Sequence, residues 1–220
     1  MTIDVIKVGA HIARPFVLKK HYAHRMPICW ECFGLVVNEL IDGVVIYGQP
    51  SPPIQRHAFR KRNFRLYELS RLVIQTALPN AASLLIGRSL QMLASQPCAV
   101  VSYADTEWGH SGIVYQATNW IYTGAVKSHD HTYLVNGVRT HPITLRDRGI
   151  SDPKRWAREN NITTLPPCIK HRYFYLIGTR KQRRDMLANL NYPVITSYPK
   201  SPKQLYHAGP LIDVRADLVY

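Results

Sequence analysis

A carboxylate, two glycines and a phenol fall close together in Ser102-Tyr103-Ala104-Asp105 and the residues that follow it. Residues 99–105 (AVVSYAD) read as a buried strand, which puts Asp105 at a strand's C-terminal end, where α/β sheets place ligands. Gly109 and Gly112 allow tight turns into a helix predicted over 111–118, and Tyr115, one turn into it, can point back toward Asp105. A carboxyl and a phenol that converge can pass a proton to or from a reacting group. The same residues also suit a routine strand–turn–helix in which Asp105 caps and Tyr115 packs in the core. Spacing leaves both readings open.

The elements that must hold this segment follow from periodicity. Residues 3–10 predict a strand, and 14–24 a helix with Pro15 in its first turn and Pro27 closing it off. Strands over 29–38 and 43–49 flank an Asp42-Gly43 turn signal, and 64–74 makes a third strand. Asn80 can cap a helix over 81–94, with Leu84, Leu85, Leu90 and Leu93 at helical spacing. After 111–118 come a strand at 121–126, a polar, irregular insertion at 127–168 with a helix around 153–160, and a strand at 170–178. The tail 181–220, rich in Pro and Tyr, is expected to be extended and unpacked. The order predicts an α/β fold: a mixed, mostly antiparallel sheet flanked by helices, with a ligand crevice where the sheet splays after 99–105. It resembles the GNAT acyltransferase arrangement, with a catalytic domain at 1–180 and the tail beyond.

Charge points to the partner. Lys and Arg number 28 against 14 Asp and Glu, a formal +14 with pI near 9.8, which suits a polyanion because each neutralised phosphate releases counterions. The basic run Arg56, His57, Arg60, Lys61, Arg62 and Arg65, interleaved with Phe59, Phe64 and Tyr67, reads as a loop that contacts DNA phosphates. RKQRR (180–184) with Tyr192, Tyr198 and Tyr206 suits tracking a single strand by stacking. The opening MTIDVIKVGA lacks the pattern of a signal peptide, and runs such as FGLVVN are too short to cross a bilayer, so no membrane partner is expected. Cysteines at 29, 32, 98 and 168 form no disulfide framework, which favours a reducing cytoplasm. Cys29, Cys32, Cys168 and His171 have zinc-like spacing, but strands send i and i+3 to opposite faces, so buried thiols are the expectation.

Ser102-Tyr103-Ala104-Asp105, Gly112-Ile113-Val114-Tyr115-Gln116-Ala117 and Gly124 resemble the segment that marks the Mom family of phage DNA modification proteins. His21-Tyr22 is similar to that family's His-Tyr pair, and Glu68-Leu69-Ser70-Arg71 to its Glu-Leu-Asn-Arg strand. The resemblance runs over about residues 14–126. It implies a GNAT-like enzyme that converts adenine in DNA to N6-(carbamoylmethyl)adenine in the host cytoplasm and shields bacteriophage DNA from restriction. It implies an active site of His21, Tyr22, Asp105 and Tyr115, with Ser102, Glu68 and Arg71 at the substrate. GNAT enzymes with a tyrosine at the Tyr115 position use it as general acid in a Tyr-x-x-x-Gly-Phe pattern; here Asn119-Trp120 replaces Gly-Phe, and Asn tolerates the same left-handed backbone. Their glycine loop for the CoA pyrophosphate is replaced by TALPNAASLLIG, where Gly87 falls inside the helix. The loss of that cradle argues against acetyl-CoA. His21, Asp105 and Tyr115 also suit iron, although an acid–base trio accounts for the same residues.

The implied product constrains the chemistry. Acyl transfer gives N6–C(=O), whereas the product carries N6–CH2–C(=O)NH2. Either the donor's methyl carbon is activated, which calls for a redox metal, or a glycyl group is transferred and rearranges. The second route needs an activated glycine such as glycyl-tRNA. The target N6 lies within the stack of double-stranded DNA, so the adenine must be flipped out. Two rival readings are a CoA-dependent N-acetyltransferase of a small amine or protein, and a non-catalytic phage DNA-binding protein.

Overall fold

A computed structural model describes residues 1–76, 78–93, 95–128, 131–200, 212, 214 and 215. Strands rich in β-branched and aromatic residues build a seven-stranded sheet in the order β1-β2-β3-β4-β5-β10-β6. These are β1 (Ile3–Lys7), β2 (Glu31–Val37), β3 (Leu40–Gly48), β4 (Arg65–Ile74), β5 (Cys98–Asp105), β6 (Ile121–Lys127) and β10 (Ile169–Ile177). Every neighbouring pair is antiparallel except β4 and β5. That parallel pairing covers only Arg65–Glu68 against Cys98–Val101. Beyond it β4 runs on to Ile74 and β5 to Asp105 with no pairing between them among the described residues. The expected splay is there.

Alternation divides the core. Phe33, Leu35, Val45, Tyr47, Tyr67, Leu69 and Val100 meet helix α3 (Ala81–Met92) on one face, with Tyr115 of helix α4 (Ile113–Ala117). Cys32, Val44, Ile46 and Val73 meet helix α1 (Ala10–Lys20) on the other. Further along that second face Leu66, Ala99, Val101 and Phe174 meet helix α2 (Pro52–His57) and helix α7 (Arg180–Asn189). A bulge shifts the β3–β4 register between Leu69 and Arg71, and it returns Arg71 to the face that Glu68 occupies.

Several boundaries differ from the sequence reading. Helix α1 begins at Ala10, so Pro15 lies in its interior; the buried stripe Ile12, Ala13, Phe16 and Val17 carries the helix through the proline. The β2–β3 turn is Asn38-Glu39, both with positive φ (47° and 68°), as a two-residue hairpin turn requires. Asp42-Gly43 instead lies inside β3, where buried Asp42 accepts a 3.0 Å hydrogen bond from Thr76. Asn80 precedes α3 in a left-handed conformation (φ 61°) with no side-chain cap bond. The insertion is not irregular: β7 (Thr132–Val135), β8 (Val138–Thr140) and β9 (Thr163–Leu165) form a second sheet. Helices α5 (Pro142–Asp147) and α6 (Pro153–Glu159) cover it around Tyr133, Leu145 and Ala157.

The tail also departs from its expected extended, unpacked form. RKQRR opens α7 behind a Thr179–Gln182 capping box, and Met186 and Leu190 bury against β10. Tyr192 stacks on Phe174 with Arg172 lying 3.4 Å over its ring, and Tyr198 donates to the Trp120 carbonyl at 2.8 Å. Ile212 and Val214 pack beside the α1 core. Tyr206 lies outside the described residues. No helix among the described residues is long and apolar enough to cross a membrane. Replacing Thr179 by Ala should cost about 1 kcal/mol in urea unfolding; an unpacked tail would show no change.

Candidate active site

Where β4 and β5 part, a cavity of about 730 Å³ opens through the sheet. Its walls come from both faces: Lys20, His21 and Tyr22 at the end of α1, Arg71 of β4, the first turn of α3, and Trp108 to Tyr115. Gly112 takes a left-handed conformation (φ 85°), and a Cβ there would meet the Tyr173 ring at 2.5 Å. Tyr173 donates in turn to the Ser111 carbonyl. This packing fixes the start of α4 and hence Tyr115.

Tyr115 is buried, and its hydroxyl lies 2.8 Å from the Ser102 hydroxyl, which is also 2.8 Å from the Leu69 carbonyl. Ser102 has one proton, and a carbonyl can only accept it, so Tyr115 donates to Ser102. Burial, chiefly, pushes the Tyr115 phenol above the usual tyrosine range, and it is neutral. His21 ends α1, and its Nδ1 accepts from the Ala23 N–H at 3.1 Å, so the ring proton sits on Nε2. Burial first, then the positive Arg71, pull His21 down to about 3. It is a neutral donor and a poor base. The Tyr22 ring stacks on Trp108 with centroids 5.0 Å apart, and burial followed by the Asp105 charge lifts its phenol to about 12.

Asp105 does not line the cavity. It is buried beside it, capping the next turn by accepting from the Glu107 N–H at 3.1 Å. Its other oxygen lies 3.3 Å from Lys170, its cross-strand partner, and 3.9 Å from the Cys168 thiol. Glu68 also stands outside the lining; burial raises its carboxyl to about 7 against the pull of the Ser51 N–H, Arg71 and Lys170. Arg71 donates to the carbonyls of Arg25 (3.1 Å) and Ser70 (2.6 Å). The structure therefore brings His21, Tyr22, Arg71 and Tyr115 to one cavity, with Ser102, Asp105 and Glu68 around its wall. Sequence reasoning missed Trp108 and His110, which both touch Tyr22. The one available signal was a tryptophan followed by glycine just after the Asp105 strand.

The metal readings fare differently. Cys29 precedes β2, where strand alternation does not apply, and its sulfur is hydrogen-bonded to Cys32. His171 bonds the Tyr122 hydroxyl at 2.8 Å, and among the described residues Cys29, Cys32, Cys168 and His171 do not come together as one ligand group. Among the described residues the group with metal-ligand spacing is Asp105, Glu107 and Cys168, without His21 or Tyr115. Its carboxylates already pair with Lys170 and Arg139. With His21 Nδ1 and the Tyr115 hydroxyl also engaged, the trio does not fit iron.

The basic residues lie in and after α2 and on α7. Arg56 lies in the last turn of α2, and Arg60, Lys61 and Arg62 are exposed in the following loop. Arg65 lies over Trp30, its guanidinium 4.3 Å from the ring centre. The Arg60 N–H donates to Asn189 at 2.8 Å and the Asn191 N–H to Ala58 at 2.9 Å. These bonds tie the loop to the C-terminal end of α7, whose first half carries the exposed Arg180, Lys181, Arg183 and Arg184 along a cleft with Asn119 and Ile121.

A mostly antiparallel sheet that splays at one parallel pair and is flanked by helices defines the GNAT acyltransferase fold. Arabidopsis thaliana NAA60 in complex with a bisubstrate analogue has it, at 11% identity over 80% of this chain and 99% of that chain, with TM-score 0.52. The same protein in complex with acetyl-CoA (12%, 80% and 99%, TM-score 0.48) and an N-acetyltransferase from Staphylococcus aureus Mu50 (12%, 80% and 99%, TM-score 0.45) are more distant in shape. No curated protein matches the sequence. The Mom protein family matches residues 2–199, and the chain belongs to that family.

Glu68 gives a pH test. Its folded value lies above the ordinary 4.5, so the folded state holds the extra proton; that stability is full below about 4.5 and lost as pH rises through about 7. Glu68→Gln should remove a loss of roughly 1–3 kcal/mol between pH 5 and 8, read from urea midpoints. Parallel pH profiles for the two proteins would return Glu68 to solvent.

Proposed function

We propose that the chain is a transferase that modifies N6 of adenine in DNA and ends at N6-(carbamoylmethyl)adenine. The observation that carries this reading is a cavity in a Mom-family chain where the stacked Tyr22–Trp108 pair faces a buried, neutral Tyr115 phenol. About 730 Å³ accommodates a flipped purine and part of a donor. The aromatic pair offers the base a flat apolar surface. His21 Nε2–H can polarise the donor's carbonyl, and Tyr115 can give a proton to the departing group if its hydroxyl turns from Ser102 toward the cavity. Asp105 acts on Tyr22 through its field and has no direct reach into the cavity.

The donor carrier is an anion in either case. The first turn of α3, with Ala81, Ala82 and Ser83, opens on the cavity, and a helix N-terminus favours phosphate even though Gly87 lies deeper, with open space around it. NAA60 holds acetyl-CoA in one of its structures, which keeps CoA among the candidates. An activated glycine such as glycyl-tRNA accounts better for the product. In that route N6 attacks the glycyl carbonyl and releases the carrier's hydroxyl. The glycyl amine then attacks C6 and expels the original N6 as the amide nitrogen. The basic surface of α2 and α7 holds the DNA.

The test is mass spectrometry of nucleosides from DNA modified by the protein, with 15N on the adenine exocyclic nitrogen. The label should appear in the terminal amide; a label kept on the ring-attached nitrogen would remove the rearrangement, and acetyladenine would restore the plain acetyltransferase. Tyr115→Phe should lower modification by ~100-fold with DNA affinity unchanged, the scale of one acid–base or electrostatic partner. Asp105→Asn, behind the cavity wall, should change modification far less and act through stability by losing the Lys170 pair. A near-normal yield with Tyr115→Phe would leave Tyr115 with a structural role only. Replacing Arg60, Lys61 and Arg62 by Ala should weaken binding to all DNA sequences alike and flatten the salt slope by about 0.9 per lost phosphate contact. An unchanged slope would move the footprint off this surface.

A further inference from the structure

Each nitrogen that attacks in the proposed reaction must shed a proton. N6 does so when it bonds to the donor's carbonyl carbon, and the glycyl amine does so when it bonds to C6. The roles of His21 and Tyr115 supply donors and no acceptor. His21 keeps its proton on Nε2 while Nδ1 accepts from the Ala23 N–H, so its lone pair is engaged. Tyr115 donates to Ser102, and Lys20 and Arg71 are cations with no lone pair to offer. Burial keeps the Tyr22 and Tyr103 phenols protonated, and Asp105 and Glu68 stand outside the lining. One titratable side chain of the wall is left, and it is His110.

The turn that presents His110 is held from several sides. Asp105 ends β5; its side chain accepts from the Glu107 N–H and its carbonyl from the His110 N–H, both at 3.1 Å. Gly109 takes a left-handed conformation (φ 68°), and its N–H donates to the Thr106 carbonyl at 3.0 Å. The Thr106 hydroxyl donates to the Ile169 carbonyl at 2.8 Å. Glu107 pairs with Arg139 of the lobe that 128–168 build around their own core. The imidazole meets Tyr22 edge-on, ring centres 5.9 Å apart, and borders the Tyr22–Trp108 pair on which the purine is proposed to lie. It is also near enough to His21 for its charge to bear on that ring. Among the described residues no hydrogen bond engages the His110 ring, and a neutral imidazole has one nitrogen that accepts. Burial pulls the ring below the ordinary histidine value, against the opposing pull of the Asp105 charge, so it is neutral near pH 7.

We propose that His110 is the base of this site, taking the proton from the attacking nitrogen as the new N–C bond forms. In the first transfer the bond from the carbonyl carbon to the carrier oxygen breaks, and that oxygen takes a proton from Tyr115. In the rearrangement the bond from C6 to the original N6 breaks, and that nitrogen takes a proton from Tyr115 in the same way. One proton accepted and one given balance each step, and exchange with water resets both side chains. The assignment rests on the reading of the chain as a transferase that acts on a nitrogen.

The experiment uses the full chain, an adenine-containing duplex and two donors in parallel, glycyl-tRNA and acetyl-CoA. Modified nucleosides are counted by mass spectrometry under single-turnover conditions. His110→Ala and His110→Asn should each lower the rate by ~100-fold, the scale of one general base, with wild-type melting and duplex affinity. Imidazole added to the His110→Ala protein should restore at least ~10-fold, and substituted imidazoles should restore more as their basicity rises. The wild type should not respond. A free base would not mend a purely structural loss. Rates within a few-fold of wild type in both variants, or a loss that every imidazole leaves unchanged, would overturn the base and leave the transfer reading standing. Product from neither donor with the wild-type protein would remove the transfer reading and the role of His110 with it.

Discussion

The Ser102 hydroxyl sits where two neighbouring strands stop pairing, and it answers a problem that the splay creates. A sheet interior cannot leave a carbonyl unsatisfied without a cost of about 1–3 kcal/mol. Parallel pairing ends at Glu68 and Val101, and the next carbonyl on β4, that of Leu69, takes its proton from Ser102. The same oxygen then receives the proton of Tyr115. One side chain thus bridges the parting strands and fixes the phenol that closes the cavity. Remove it, and the gap, the phenol and the packing of α4 lose their common anchor.

Electrostatics follow from the same opening. The bulge after Leu69 turns Arg71 to the face of Glu68, and its guanidinium is held by two backbone carbonyls, with no carboxylate in direct contact among the described residues. Burial first and this cation second keep His21 neutral, and its proton sits on Nε2. Asp105, by contrast, is paired with Lys170 across the strands, which spends its charge on structure. The two groups that looked alike in sequence, a histidine and a carboxylate near one phenol, therefore differ in kind: one is a donor in the cavity wall, the other a buttress behind it.

How much of this was legible depends on the range of the interaction. The order of the main strands, the buried strand ending at Asp105 and the splay beyond it follow from local periodicity, and the short segments of family resemblance fall within the residues that the family matches. Asp42-Gly43 misled because a turn signal is only local; Asn38 and Glu39 accept positive φ, and the pairing of β2 with β3 decided between them. RKQRR is so polar that it offers no helical stripe, and it becomes helical through a capping box and a single buried Met186. The lobe hides for a similar reason: its core rests on a few residues spread from Tyr133 to Ile162, too sparse to show a period. The bulge at Ser70 leaves no trace in sequence, yet it decides which wall Arg71 joins.

The fold also brings the loop after α2, with its basic run, against the end of α7. Phe59 bridges to Leu190, and Phe59 packs on Phe174 of β10, so the loop after α2 and the end of α7 share one apolar seat. Apolar burial and the backbone bonds of Arg60 and Asn191 fasten the two segments to each other. They lie on the same face of the sheet as α1, whose end carries His21 and Tyr22. On the proposed reading the division of labour is then set by the sheet itself. Nucleic acid lies along the α1, α2 and α7 face, a donor enters from the α3 and α4 face, and the two meet only in the slot between β4 and β5.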